Sequence, residues 1–156
     1  MANKCLIIVY SYHHNNTKKV AQEMSEVLNA DVITPEEVQS YDISDFDLIG
    51  FGAGIDSGKH YKPLIDCVQT MDLKKEQKAF IFSTSAVQGQ KKVYKDHTAL
   101  RNILLNKETT ILGEFSCKGF NTNLFLKYFG GMNKEHPTSE DLQNAQSFSK
   151  NLLNKL

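Results

Sequence analysis

A chain of 156 residues, 40% hydrophobic and 23% charged, has the size and composition of one soluble domain with a real core. Its 18 basic and 18 acidic residues cancel, so no field of one sign points to nucleic acid or an anionic membrane as a partner. The longest apolar runs, Leu6 to Tyr10 and Ala79 to Phe82, are too short to span a bilayer, and the first residues lack the length and cleavage site of a secretory leader.

In chain order, Cys5 to Tyr10 is a continuous apolar run, the pattern of a strand covered on both faces. A helix follows from Asn16 to Asn29, with Val20, Met24, Val27 and Leu28 on one face. Asp31 to Thr34 predicts a brief strand stopped by Pro35. Asp47 to Gly52 predicts a third, followed by a glycine-rich loop and a helix that carries Leu64, Ile65, Val68 and Met71. Ala79 to Ser83 reads as the fourth strand. One helix after it presents Val93, His97, Leu100, Ile103 and Leu104 at helical spacing, with His97 a helix-face residue. Thr110 to Ser116 supplies the fifth strand. The segment Cys117 to His136 has no clear assignment beyond a helical turn at Asn123 to Phe129 ended by Gly130-Gly131. The last helix opens at Thr138-Ser139-Glu140-Asp141, a hydroxyl cap followed by acids, and turns Leu142, Ala145, Phe148 and Leu152 inward.

Strand and helix alternating five times predict an α/β fold. Its form is a three-layer sandwich with a five-stranded parallel sheet, for which the common order is 2-1-3-4-5, built as a single domain over residues 1–156. Ligands of such sheets sit beyond the carboxyl ends of the strands where the winding reverses, here between strands one and three. Three loops therefore matter: Ser11 to Thr17, Ala53 to His60, and Ser83 to Lys92. The first opens a helix, whose N-terminal N–H groups favour an anion. Ser11 and Thr17 add hydroxyls, while Asn15 and Asn16 tolerate unusual backbone angles. With no arginine in the loop, neutral donors must do the binding; an ordinary capped turn is the alternative. A metal at His13-His14 lacks a third ligand. Neither Gly-x-Gly-x-x-Gly nor Gly-x-x-x-x-Gly-Lys-Ser/Thr occurs here, which disfavours a dinucleotide or a nucleoside triphosphate. The three cysteines, Cys5, Cys67 and Cys117, form no Cys-x-x-Cys pair, so zinc and a disulfide framework are not expected and a reducing, cytoplasmic compartment is. Cys117 falls at the ligand end of the sheet, with no histidine and acid assignable to it, and reads as an idle thiol.

The loop Ser11-Tyr12-His13-His14-Asn15-Asn16-Thr17 resembles the phosphate-binding loop of flavodoxins, Ser/Thr-x-Thr-Gly-x-Thr. It is closer still to a flavodoxin-family subgroup with Tyr-His-His-x-Asn-Thr in that place. Asn15 stands where a glycine is usual, and His13 where a threonine is. The resemblance continues through Gly52 to His60, Glu114 to Phe120, and His136-Pro137-Thr138 before the last helix. It implies FMN as cofactor, with Ser11, His13, Asn15, Asn16 and Thr17 around the phosphate. Ala53, Gly54, Ile55, Asp56, Ser57 and Gly58 would lie along one edge of the flavin ring, and Ser83, Thr84, Ser85 and Ala86 on its other side. Gly52, Gly54 and Gly58 would let backbone approach the ring, and Gly58 or Gly54 would carry the peptide that reorients toward flavin N5. Asp56 would place negative charge beside the reduced ring. The stacking group is open among Tyr12, His60, Tyr61 and Tyr94.

The function so implied is an electron carrier of the flavodoxin type that serves redox partner proteins, with no catalytic residue of its own. An NAD(P)H-dependent flavin or quinone reductase on the same fold is the alternative, and a flavin-free interaction or signalling domain the second. A phosphorylatable receiver is disfavoured, since Val9-Tyr10-Ser11 ends the first strand without an acidic pair.

Overall fold

A computed structural model describes residues 3–12, 15–119 and 136–156. The described strands are β1 (Cys5–Tyr10), β2 (Asp31–Ile33), β3 (Leu48–Asp56), β4 (Lys59–His60), β5 (Lys78–Ser85) and β6 (Thr110–Lys118). The described helices are α1 (Asn16–Leu28), α2 (Lys62–Thr70), α3 (Gln90–Asp96), α4 (Thr98–Asn106) and α5 (Ser139–Asn154). Parallel pairing gives the order β2-β1-β3-β5-β6, and the short β4 pairs antiparallel with β3 outside that path. The five parallel strands thus follow the expected winding, and β4 is an addition to it.

Alternation along the central strands divides two apolar layers. Leu6 and Ile8 of β1, with Ile49, Phe51 and Ala53 of β3 and Ala79 and Ile81 of β5, pack toward Leu64 and Val68 of α2 and Leu100 and Leu104 of α4. Cys5, Ile7 and Val9, with Phe80 and Phe82, pack toward Val20, Ala21, Met24 and Leu28 of α1 and Ala145 and Leu152 of α5. On this second face β3 carries Gly50 and Gly52. A Cβ on either would lie 2.2 Å from the ring of Phe80 or Phe82 respectively. These glycines make room for two stacked phenylalanines, whose ring centroids are 5.9 Å apart.

Local signals explain the ends of the elements. After α1, Asn29 takes the left-handed conformation at φ 51° and its N–H returns to the Ser25 carbonyl. After β2, Thr34 and Glu37 cap a 3-10 helix, Pro35–Ser40. Thr138 accepts from the Asp141 N–H while Asp141 accepts from the Thr138 N–H, so α5 starts with a reciprocal cap at the hydroxyl-then-acid signal.

Three readings from sequence are corrected. The strand that was to end at Gly52 continues to Asp56, and the expected glycine-rich loop is a β-hairpin. Ser57 (φ 53°) and Gly58 (φ 80°) form its two-residue turn, and positive φ at both central positions matches the right-handed twist of the flanking strands. The fourth strand, expected to end at Ser83, runs on through Thr84 and Ser85, which belong to β5 and not to the loop after it. The single helix expected from Val93 to Leu104 breaks at His97, which links α3 to α4. The helical turn expected at Asn123 to Phe129 lies outside the described residues. No described helix is long and apolar enough to cross a membrane.

Candidate functional site

Register brings the three expected segments to one edge. Tyr10, Ala53, Ser83 and Ser116 are successive partners across β1, β3, β5 and β6, and the next row out is Gly54, Thr84 and Cys117. At the reversal between β1 and β3 stands the N-terminus of α1. Asn15 caps it in the left-handed conformation at φ 54°, which substitutes for the glycine usual there, because asparagine is among the few residues that tolerate this region. The Asn15 side chain makes no capping hydrogen bond, and no acid stands in the first turn to compete for an anion at this end. Asn16 and Thr17 are buried, and the Thr17 hydroxyl lies 2.8 Å from that of Thr84, which ties the first loop to the end of β5. Ser11 accepts weakly from the Lys18 N–H at 3.4 Å. Behind the helix start, Gly119 leaves room for Asn16, whose Nδ2 would be 2.8 Å from an added Cβ. His13 lies outside the described residues.

Ala53 is buried in the sheet, Gly54 and Ile55 are half-buried, and Asp56, Ser57 and Gly58 are exposed at the hairpin. The three glycines have three different roles. Gly52 accommodates Phe82, and Gly54 faces the Tyr61 ring at 2.9 Å from its ideal Cβ. The Gly54 carbonyl also accepts from the Tyr61 N–H. Gly58 alone of the three has positive φ and open space beside it. Ser83 and Thr84 are buried, Ser85 is at the margin of burial and Ala86 is half-buried.

The candidates for ring stacking separate by exposure. His60 is 1% exposed, and its Nε2–H donates to the Phe82 carbonyl at 2.9 Å, which removes it from the list. Burial first, and the neighbouring His97 second, hold its imidazole down at about 3. Tyr12 and Tyr61 lie against each other at the edge, centroids 5.7 Å apart. Tyr94 is exposed on α3 with the Arg101 guanidinium 4.1 Å above its ring.

Sequence reasoning missed a chain of polar contacts under β5 and β6. His97, wholly buried, lies 2.7 Å through Nε2 from Ser83 Oγ and 2.8 Å through Nδ1 from Glu114 Oε1. Arg101 grips Glu114 with Nε on Oε2 and Nη2 on Oε1, each at 2.7 Å. Burial pushes the Glu114 carboxyl up, but hydrogen bonds from His97 and Arg101 outweigh it and hold the group at about 2. Ser83 Oγ is 2.9 Å from Ser116 Oγ, and Gln88 donates to Ser116 Oγ, Ser85 Oγ and the Cys117 carbonyl. The available signal was a histidine and a glutamate set among apolar residues at the periods of a helix and a strand.

Beside β6 lies a cavity of about 340 Å³ whose described lining includes Gln88, Ser116, Cys117, His136 and Asp141. His136 Nδ1 pairs with the Asp141 carboxylate. Burial, then the charge of Asp141, pushes the Cys117 thiol up to about 12, which makes it an inert group. Among the described residues no cluster of histidine, cysteine and acidic groups fits a metal ion.

Fold and site together define a doubly wound α/β protein with an anion-favouring helix start at its topological switch point. The family model described as a flavodoxin domain matches residues 7–150, and the chain belongs to that family. An uncharacterized protein of Methanocaldococcus jannaschii is 43% identical over 150 residues, covering 96% of this chain and 98% of its own. A flavodoxin from the domain Archaea superposes with a TM-score of 0.62 at 14% identity, covering 97% of both chains. Rubredoxin:oxygen oxidoreductase from Desulfovibrio gigas aligns with a TM-score of 0.68 at 12% identity; it covers 99% of this chain, which spans 37% of that protein. The two structural likenesses show the shared fold.

Proposed function

We propose that the chain is a single flavodoxin-like domain that binds FMN at the carboxyl edge of its sheet and passes electrons to redox partner proteins. The observation that carries this reading is the convergence of the α1 start, the β3–β4 hairpin and the end of β5 on one edge, in a member of the flavodoxin-domain family. Bound flavin would supply one- and two-electron redox chemistry. Ser11 and the backbone of Asn15, Asn16 and Thr17 would hold the phosphate through neutral donors and the positive end of α1. The Thr17–Thr84 contact would fix the distance from the phosphate loop to the ring side of the site. Gly58, exposed and with open space where a side chain would stand, would supply the movable peptide, whereas the Gly54 carbonyl is already bonded to the Tyr61 N–H. Asp56 beside it would oppose build-up of negative charge on the ring.

The test is direct. Purified protein is reconstituted with FMN, desalted and examined for flavin absorbance and quenched flavin fluorescence. Retained flavin in near-equimolar amount supports the reading, and a colourless protein sinks it.

A further inference from the structure

We propose that the carboxyl edge of the sheet is a docking face for an acidic protein surface, with lysines from four neighbouring strand ends set around exposed Tyr12 and Val87. That surface belongs to the redox partner, an assignment that rests on reading this edge as the flavin site.

The lysines stand where local energetics disfavours them. A helix start carries partial positive charge, so acids are favoured there and lysines are not. The 3-10 helix Pro35–Ser40 and α5 follow that rule, with Glu36 and Glu37 in one first turn and Glu140 and Asp141 in the other. α1 and α2 break it. Neither has an acid in its first turn; exposed Lys18 and Lys19 lie at the start of α1, and exposed Lys62 opens α2. The i,i+4 ion pairs of α2 and α3 are reversed as well: Lys62 meets Asp66 at 2.6 Å and Lys92 meets Asp96 at 2.5 Å, whereas the favoured order puts the acid first. Both helices run away from the carboxyl edge, so in each pair the lysine is the member nearer to it. Violations of local preference that gather at one place mark function.

Lys59 on the hairpin, Lys91 on α3 and Lys118 at the end of β6 complete the set, and all three are exposed. The lysines thus follow β1, β3, β5 and β6, four adjacent strands that span about 14 Å. That width suits a protein contact and exceeds what one phosphate could occupy. A phosphate at the α1 start would offset Lys18 and Lys19 and leave those of the other strand ends to a partner. Carboxylates bound the stretch: Glu36 and Glu37 stand beyond β2, and Glu140 and Asp141 line the cavity beside Lys118. Within it, Asp56 is the one exposed acid among the described residues. Acidic ends would repel a long polyanion laid across the sheet, so a compact protein face fits better than nucleic acid. Tyr12 is 62% exposed and Val87 50%, on the loops after β1 and β5. Apolar groups within a charged rim have the anatomy of a protein interface, and complementary charge speeds the encounter.

The first measurement needs no flavin. The full-length chain labelled with 15N is titrated with hexacyanochromate(III), a paramagnetic trianion, and separately with tris(ethylenediamine)chromium(III), a paramagnetic trication, and amide line broadening is mapped by NMR. The anion should broaden amides around Lys59, Lys91 and Lys118 as well as the α1 start, and the cation should spare them. The variant K59Q/K91Q/K118Q alters exposed side chains alone; it should keep the broadening at α1 and lose most of the rest. Anion broadening confined to α1 would overturn the docking face while leaving the phosphate site standing, and equal broadening by the cation would overturn it too. The second measurement mixes reduced, FMN-loaded protein with cytochrome c, either native and basic or succinylated at its lysines and therefore acidic. Each electron that leaves the flavin reduces one haem iron(III) to iron(II). The succinylated form should react faster, with a rate constant that falls about tenfold between about 20 and about 200 mM salt, and the triple variant should flatten that dependence. A faster reaction with the native form, or a rate indifferent to salt, would refute the face. Protein that retains no FMN after desalting defeats the functional reading instead, and the paramagnetic titration still decides the docking face.

Discussion

Acid should weaken this protein through His60 before its carboxylates respond. The imidazole is 1% exposed and held at about 3 in the folded chain, against an ordinary value of 6.5. Below about pH 6.5 the unfolded chain takes up a proton that the folded chain refuses, so stability present above that pH is lost as pH falls, until the folded ring titrates too. The slope approaches about 1.4 kcal/mol per pH unit, which gives a loss of about 2 kcal/mol at about pH 5. That figure depends on the unfolded value alone, provided the folded ring stays neutral at that pH. Glu114, lowered from 4.5 to about 2, contributes stability that is lost only below its unfolded value of 4.5, outside this window. The assay is urea denaturation at about pH 8 and about pH 5 for the wild type and H60Q, whose amide can still donate to the Phe82 carbonyl. The wild type should lose about 2 kcal/mol more than the variant. Parallel losses would refute the assignment of a neutral, desolvated His60.

Other substitutions probe the edge and its support. T17V leaves the Thr84 hydroxyl buried without its 2.8 Å partner, and should cost about 1–2 kcal/mol of stability. The same variant should weaken FMN about tenfold or more in a fluorescence titration; unchanged affinity would count against this phosphate loop. G52A drives a methyl into the Phe82 ring and should lower stability by about 1–3 kcal/mol in thermal denaturation, so a neutral result would contradict that packing. G58A meets no atoms but is strained at φ 80°, and should cost about 1 kcal/mol with little effect on the core. With Cys5 pushed up to about 11 and Cys117 to about 12 by burial, an aromatic disulfide reagent at about pH 8 should leave both unlabelled in the native chain and label them in denaturant.

How far the sequence could be read follows from what each feature depends on. The apolar run at Cys5 to Tyr10 and the spacing of Val20, Met24 and Leu28 depend on burial of one segment, and strand, helix and winding followed from them. The location of the edge followed too, since crossover handedness leaves few topologies. The hairpin did not, because glycines at 52, 54 and 58 suggested a pliant loop. Two of them serve aromatic rings, Phe82 from a strand 30 residues later and Tyr61 from the next helix cap. What a glycine makes room for is a tertiary fact. The break at His97 was hidden for the same reason. A helical pattern continues through it, and the partners that hold the ring, Ser83 and Glu114, lie 14 and 17 residues away on other strands. Charge balance was equally opaque: a net charge of zero conceals a glutamate held ionised under the sheet by one arginine and an imidazole. Motif reading found the groups that line the edge, whereas the buried groups behind it became visible only once distant strands were placed side by side.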